Sequence, residues 1–419
     1  MRRVKLSNVW PPVVALAVVG TGIGMQRREM AELERGNEVL RRVEKAERPA
    51  VPEKVSNTSV ITGRRIDWRQ LVAMPGWRQS MAITQVRRLL YELSSEELLA
   101  NLDQLAAVEV SEEMQQELES LLLYMLGRRD PRILFDRFSD ELRNERLPLR
   151  QSIALGATFR RWVERDCRAA AAWMDEQVAA GAFESKSLNG LHAHRLTFES
   201  DLIRLMAAAN PASASARVTA MSEPLRSAVL KNDLLLNYRR AEEAKGTANL
   251  IREIAGEAQA PQVLAESSRM VALGASGDRE AYESLGRLFK DIEATPEERD
   301  AVALSSLSCR MQSQSKWVER DDAASYVDAM RTWSLNEAPG VAGSITGNAL
   351  GQLGMKRFDE AAKLAIQYQE AGGDDSVVVA FLSSKGLAHS HPAEALPLLE
   401  RISDPEKREA IRKFFPKQP

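Results

Sequence analysis

Cysteines, aromatic residues and catalytic motifs are all scarce in this chain. Only two of its 419 residues are cysteines, and they form no Cys-x-x-Cys pair, which excludes a disulfide framework. Aromatic residues make up 5% of the chain. We find no phosphate-binding loop, no Gly-x-Ser-x-Gly and no zinc signature. The sequence therefore predicts no catalytic residue, no bound cofactor and no enzymatic activity.

Long alternating runs of β-branched residues are also missing, which argues against a β-sheet protein. Hydrophobic residues still make up 44% of the chain and charged residues 28%, which is enough for a folded core. Alanine, leucine, glutamate and arginine are abundant, and all four favour helices. We therefore predict an all-α fold.

One pentapeptide, Trp-Val-Glu-Arg-Asp, occurs twice, and each copy leads into a run of alanines. Chance repetition of five residues that include tryptophan is improbable. Duplication of one helical unit explains the repetition, and solenoids arise by such duplication. We assign Trp162 and Trp317 to equivalent packing positions. Asp166 and Asp321 are assigned to equivalent helix caps.

Helix-start signals recur along the chain. Proline fits the first helical position, because its missing N–H donor costs nothing there. Five prolines follow a residue placed to cap a helix: Asp130-Pro131, Asn210-Pro211, Thr295-Pro296, His391-Pro392 and Asp404-Pro405. Ser94–Glu97 and Thr295–Glu298 match the capping box. Starts separated by roughly 32–44 residues predict a right-handed α-solenoid of helical hairpins over residues 66–419.

The stretch Asn348–Gln369 resembles a tetratricopeptide repeat. Gly354 and Phe358 match the glycine and aromatic positions of that family, and Asp-Glu-Ala-Ala at 359–362 matches its turn. The tryptophan of the family's first helix is absent. The resemblance implies a tetratricopeptide-like or HEAT-like α-solenoid. Members of these families mostly act as protein-binding scaffolds, and the resemblance implies no ligand.

The amino-terminal segment is basic and then apolar. Residues 1–65 carry 13 Lys and Arg against 7 Asp and Glu, whereas the remainder carries 44 against 52. The uncharged run Val9–Met25 is at the short limit for a membrane helix. We predict a cytoplasmic basic tail over residues 1–8, a transmembrane signal-anchor over 9–25 and a body on the extracytoplasmic side. The alternative is secretion after signal cleavage.

Two further segments precede the predicted solenoid. Residues 26–48 have weak heptad spacing, which predicts a helical stalk that could join two copies through a short coiled coil. Residues 49–65 lack helical periodicity and are predicted to form a linker. The mildly acidic remainder of the chain argues against nucleic acid as a partner.

All four histidines fall in two His-x-His pairs, His192/His194 and His389/His391. Two residues that are two positions apart on a helix point about 200° apart, so they do not easily share a metal ion. These histidines are the only metal-ligand candidates that we identify. We predict that the protein binds no metal.

These observations predict a membrane-anchored scaffold that binds an unidentified partner protein through a helical face. Two alternatives stay open. One is a periplasmic enzyme on an α/α helical scaffold, which would need carboxylates that converge in a deep pocket. The other is a soluble cytosolic repeat regulator, which would need the first 25 residues to serve another purpose.

Overall fold

The computed structural model describes residues 60–62, 64–74, 76, 81–185, 190–236, 238–372, 375–384 and 386–415. The chain divides into two units, residues 1–62 and residues 63–419. In the first unit, the described residues contain one short strand, Ile61–Thr62. The second unit begins with another short strand, Arg65–Ile66, and is otherwise helical.

The described part of the second unit forms 22 α-helices and three 3-10 helices, which confirms the predicted all-α fold. The α-helices are α1 (Trp68–Ala73), α2 (Met81–Glu92), α3 (Ser95–Ala106), α4 (Glu112–Arg129), α5 (Pro131–Arg137), α6 (Ser139–Arg143), α7 (Leu149–Arg165), α8 (Cys167–Ala179), α9 (Ala193–Ala209), α10 (Pro211–Ala220), α11 (Glu223–Lys231), α12 (Ala241–Ala255), α13 (Ala260–Ser267), α14 (Asp278–Asp291), α15 (Pro296–Ser313), α16 (Ala323–Glu337), α17 (Ala342–Gly354), α18 (Phe358–Gly372), α19 (Ser376–Leu382), α20 (Leu387–Ser390), α21 (Pro392–Ala395) and α22 (Pro405–Arg412). The 3-10 helices are Ser315–Glu319, Pro339–Val341 and Leu396–Arg401.

The helix starts predicted at the five prolines and at the two capping boxes are present. Each of the five predicted prolines is the first residue of a helix. Both capping boxes also form: the Ser94 and Thr295 side chains accept the backbone N–H of Glu97 and Glu298, whose carboxylates accept the N–H of the capping residue in return. These bonds are local, which is why the sequence alone predicts them.

Three helix junctions share a one-residue elbow, in which a single residue ends one helix and begins the next. Asp130, Asp166 and Asn210 occupy this position, with φ/ψ angles of −142°/89°, −151°/81° and −151°/80°. The backbone N–H of each residue donates to the carbonyl four residues earlier. Its side-chain oxygen accepts the N–H three residues later. The elbow therefore turns the chain, and it supplies hydrogen-bond partners for a carbonyl at the end of one helix and an N–H at the start of the next.

Arginine side chains link helix ends that lie 37 or 38 residues apart in the chain. The carbonyls at a helix end lack an intrahelical partner, so a guanidinium group can supply the missing donor. The three links, written from donor to acceptor carbonyl, are Arg129 to Tyr91, Arg165 to Arg128, and Arg357 to Arg320. The three links therefore have nearly the same spacing along the chain.

Five aromatic rings form the centre of the core between α5 and α9. Phe135 stacks on Trp162 with ring centroids 5.8 Å apart, and Phe159 stacks on Phe198 at 4.2 Å. Trp173 tilts against Phe135 at 5.0 Å, and its indole N–H donates to Asp136. From Ile203 to Phe415, buried side chains form one continuous hydrophobic cluster.

Close helix contact near the carboxyl end depends on a glycine. A Cβ atom at Gly347, on α17, would lie 2.4 Å from the Val377 carbonyl oxygen and 2.5 Å from the Ala380 Cβ on α19. Backbone cannot yield to such contacts, so only glycine lets these two helices cross this closely.

The prediction of a single-pass membrane protein is wrong for the described residues. None of their helices is both long and apolar enough to cross a membrane. The two 18-residue helices, α4 and α15, carry several charged residues each. The predicted basic tail (1–8), span (9–25) and stalk (26–48) lie outside the described residues. Most of the predicted linker (49–65) does too.

Candidate functional site

The first copy of the repeated pentapeptide is a structural junction. Trp162 lies near the end of α7, is 5% exposed and packs among the aromatic rings of the core. Asp166 occupies the elbow, and its carboxylate accepts the Ala169 N–H at 3.0 Å. The intervening Arg165 donates to the Arg128 carbonyl. These residues hold successive helices together.

The second copy folds differently, so Trp317 and Asp321 are not equivalent to Trp162 and Asp166. Helix α15 ends at Ser313, and Trp317 lies in the following 3-10 helix. Trp317 is buried and stacks on Tyr326 with centroids 4.7 Å apart. Asp321 is exposed and does not cap α16. The residue directly before α16 is Asp322, which makes no capping bond and instead accepts two hydrogen bonds from Arg320.

The first histidine pair lies at the start of α9. His192 caps that helix: its Nδ1 accepts the Arg195 N–H, and its Nε2 lies 3.0 Å from the Leu142 carbonyl. The His194 Nε2 lies 2.9 Å from the Ser152 hydroxyl. Burial lowers the pKa of both imidazoles. The buried His194 Nδ1 has no hydrogen-bond partner, so no carboxylate orients this Ser–His pair for nucleophilic catalysis.

The second histidine pair lies elsewhere in the fold. His391 stacks on Phe358 with ring centroids 4.9 Å apart, and His389 is exposed on α20. The rings of His192 and His194 are 5.7 Å apart and have partners of their own. Within the described residues, no three His, Cys, Asp or Glu side chains are grouped to hold a metal ion.

A layer of buried charges joins α7, α9, α10 and α12, and no sequence pattern predicted it. Arg204 on α9 is 3% exposed and donates to Glu243 on α12 at 3.0 Å. Asp201, one turn earlier, is 5% exposed and accepts from Arg160 Nε on α7 at 2.9 Å. Glu199 pairs with Arg217 of α10 at 2.6 Å. Buried charges are found in proteins when they are paired in this way.

A groove runs along α4, outside that layer. Cavities of about 420 Å³ and 180 Å³ adjoin there and share Gln115, Glu119 and Gln151. One stripe of α4 lines the first cavity at i, i+3, i+4, i+7, i+8 and i+11: Glu112, Gln115, Gln116, Glu119, Ser120 and Leu123. The second cavity extends to α3 and to the α5–α6 junction. We call this surface the acidic groove.

The charges of the acidic groove are mostly negative. Four carboxylates line it, Asp103, Glu112, Glu119 and Glu141, and the one described cation in the lining is Arg137. Arg137 lies 3.2 Å from Asp103 and 3.7 Å from Glu141, which leaves two carboxylates without an ion pair among the described residues. Burial raises the pKa of Glu119, although a hydrogen bond from Gln151 opposes that shift. A cation brought into the groove would therefore be stabilised.

Two exposed apolar side chains lie on the helix that closes one end of the groove. Leu149, in the lining, is 76% exposed, and Ile153 is 62% exposed. They are four residues apart on α7 and so share one face. Among the described residues, these are the two most exposed large hydrophobic side chains. An apolar pair next to a mostly negative groove is typical of a protein-binding surface.

The fold assigns the protein to the all-α class, with a groove and a buried charge layer as its candidate sites. No protein-family model, no curated protein and no solved structure matches the chain. The function must therefore be inferred from the residues themselves.

Proposed function

We propose that the protein is a helical-repeat scaffold that binds a partner protein through the acidic groove. The partner segment is basic and amphipathic. The observation that carries the proposal is the coincidence of unpaired carboxylates and exposed leucine and isoleucine side chains at one concave surface. Catalysis is not part of the proposal.

The finer architecture that we propose is a right-handed α-solenoid. Three arginine links with a spacing of 37 or 38 residues support it, as do the elbows at Asp130, Asp166 and Asn210. Repeated links of one kind at one spacing are expected when similar hairpins stack on their neighbours. Such stacks create long grooves, which other helical-repeat proteins use to bind extended or helical segments.

The charge of the groove indicates the charge of its partner. Glu112 accepts a hydrogen bond from Gln116, and Glu119 accepts one from Gln151, so both carboxylates are positioned without being neutralised. Lysine or arginine side chains would gain charge-assisted hydrogen bonds to these oxygens. Leu149 and Ile153 would contact the apolar face of the same segment.

A designed helical peptide with lysines on one face and leucines on the other tests the proposal. We expect saturable binding by fluorescence anisotropy, with an affinity that falls as salt rises. The double variant Glu112→Lys/Glu119→Lys should weaken binding about tenfold or more, because it replaces attraction with repulsion. Glu257→Lys, at an exposed site on another part of the chain, is the matched control.

Two results would contradict the proposal. One is equal weakening by Glu257→Lys, which would mean that the peptide senses only net charge. The other is equally tight binding of a peptide in which glutamate replaces every lysine. The double variant must first keep the wild-type melting temperature, since the substituted residues are on the surface of α4.

A further inference from the structure

The face that contains the acidic groove continues beyond it along the same two helices. Gln151, near the start of α7, donates to Glu119 on α4, and Arg165, the last residue of α7, donates to the Arg128 carbonyl near the end of α4. These two bonds show that α4 and α7 lie side by side and run in the same direction. The acidic groove lies against the first part of both helices, and a different surface follows towards their carboxyl ends.

Arginine and tyrosine side chains form that second surface. The Arg161 guanidinium lies 4.7 Å from the centre of the Tyr124 ring, and the Arg128 guanidinium lies 5.7 Å from the centre of the Tyr91 ring. All four side chains are exposed. Neither arginine has an ion pair among the described residues, and Glu164, close by on α7, is paired with a later arginine. We call these four residues the arginine patch. Its charge is opposite to that of the acidic groove.

Exposed apolar side chains accompany both charged surfaces. Helix dipoles favour acidic residues in a first turn and basic residues in a last turn, so the charges alone would be ordinary. The dipoles do not account for the apolar side chains. Of the seven exposed large hydrophobic side chains among the described residues, four belong to this face: Tyr91, Tyr124, Leu149 and Ile153. Such clustering is typical of a surface that another protein covers.

The acidic groove and the arginine patch match each other under a two-fold rotation. Such a rotation, about an axis through the middle of the face, reverses the direction of α4 and α7. It therefore places the acidic groove of each copy on the arginine patch of the other. Ser120 lies midway between Glu112 and Arg128 on α4 and is exposed, and Ala157 is exposed on α7. These small side chains let the helices of two copies approach closely at the axis.

We propose that the partner of the acidic groove is a second copy of this chain. Glu112 and Glu119 of one copy accept charge-assisted hydrogen bonds from Arg128 and Arg161 of the other, and the same contacts form again across the axis. The exposed apolar side chains are buried between the two copies. The inference rests on the proposed function, because it identifies the basic amphipathic segment with the carboxyl-terminal parts of α4 and α7.

The size of the face indicates the strength of the dimer. Helix α4 has 18 residues and is therefore about 27 Å long, and two adjacent helices are about 20 Å wide. The contact would bury roughly 500 Å² per copy, or about 1,000 Å² in total, which is at the lower limit for specific interfaces. We therefore expect a weak dimer that dissociates on dilution.

Sedimentation equilibrium of the full chain over a concentration series tests the proposal. The wild type should show a reversible monomer–dimer equilibrium that weakens as salt rises. The basic amphipathic peptide should shift this equilibrium towards the monomer, because it occupies the same groove as the second copy.

Two charge reversals test the contact itself. Glu112→Lys/Glu119→Lys makes the whole face positive, and Arg128→Glu/Arg161→Glu makes it negative. Each variant alone should raise the dimer dissociation constant about tenfold or more, because like charges then meet at both contacts. An equimolar mixture of the two should form a heterodimer with a dissociation constant within about threefold of the wild-type value, because opposite charges meet at both contacts.

The mixture also controls for folding, since an unfolded variant would not restore the dimer. The matched control is Arg279→Glu, which reverses an arginine whose side chain is 92% exposed on α14. This variant should dimerise as the wild type does.

Three outcomes would overturn the inference. The first is a wild-type chain that stays monomeric up to about 100 μM. The second is a dimer that both reversals leave unchanged, since a different surface would then hold it. The third is weakening by both reversals without recovery in the mixture, although both variants keep the wild-type melting temperature.

The basic peptide separates a failure of this inference from a failure of the proposed function. A monomeric wild type that binds the peptide at the acidic groove would mean that the groove has a different protein partner, and only the second copy would be excluded. A monomeric wild type that does not bind the peptide would contradict both proposals.

Discussion

The two copies of Trp-Val-Glu-Arg-Asp differ in structure although their five residues are identical. In the first copy the pentapeptide ends α7, and Asp166 is a complete elbow. In the second, α15 has already ended at Ser313, and the pentapeptide covers the last three residues of the 3-10 helix Ser315–Glu319 and the two residues after it. The same sequence therefore serves two local conformations.

The residues around each copy account for the difference. Asp166 is followed directly by Cys167, so its carboxylate reaches the first free N–H groups of α8. Asp321 is followed by a second aspartate, and Arg320 binds Asp322 at 2.8 Å and 2.6 Å instead of leaving it free to cap. A capping residue functions only when the helix begins directly after it.

The largest expected difference between the copies concerns the two tryptophans. Trp162→Ala should lower the free energy of unfolding by about 3–5 kcal/mol, because it removes one of five packed rings. Trp317→Ala should cost less, since Trp317 stacks on Tyr326 alone and its buried indole N–H has no partner. Chemical denaturation of both variants measures this difference. Equal losses would show that the two rings are equivalent after all.

A smaller difference is expected for the two aspartates. Asp166→Ala should cost about 1 kcal/mol, whereas Asp166→Asn should be nearly neutral because asparagine caps equally well. Asp321→Ala should change stability by less than about 0.5 kcal/mol, as is usual for exposed residues without a structural role. Thermal melting of the three variants tests the prediction. A large loss in Asp321→Ala would mean that this residue caps α16 in solution.

The smallest expected effect is a pH dependence of stability that comes from His192. Burial lowers the pKa of His192, so the unfolded chain binds a proton at a higher pH than the folded protein does. Its contribution to stability is therefore complete above the unfolded pKa, near 6.5, and is lost as pH falls towards the folded pKa. His192→Asn retains a capping side chain.

Melting curves between neutral and mildly acidic pH compare this variant with the wild type. The wild type should lose more stability on acidification than His192→Asn does. His391→Asn is the control, because His391 stacks on Phe358 near the carboxyl end, away from the His192 site. A pH dependence that is identical in all three proteins would mean that His192 does not contribute to it.

The features that the sequence predicted are those that form within a few residues. Proline at the first helical position and the capping boxes at Ser94 and Thr295 depend on bonds between neighbours, and they are present. The repeated pentapeptide predicted the wrong conformation at Trp317, because its conformation depends on where the preceding helix ends. A pattern of five residues does not contain that information.

The candidate sites depend on residues far apart in the chain, so no sequence pattern predicted them. Arg204 and Glu243 are 39 residues apart, and Gln151 and Glu119 are 32 apart. One signal was available in hindsight: the stripe from Glu112 to Leu123 places polar residues at helical spacing where a buried face would be apolar. The membrane prediction relied on residues 9–25, which the described structure does not include.

Hydrogen–deuterium exchange with and without the basic amphipathic peptide tests the central claim most directly. We expect slower exchange in α4 and at the start of α7, two of the helices that line the acidic groove, and unchanged exchange around Trp317. The Glu112→Lys/Glu119→Lys variant should lose this protection. Protection confined to other helices, or none at a peptide concentration that saturates binding, would contradict the proposal that the groove binds a partner.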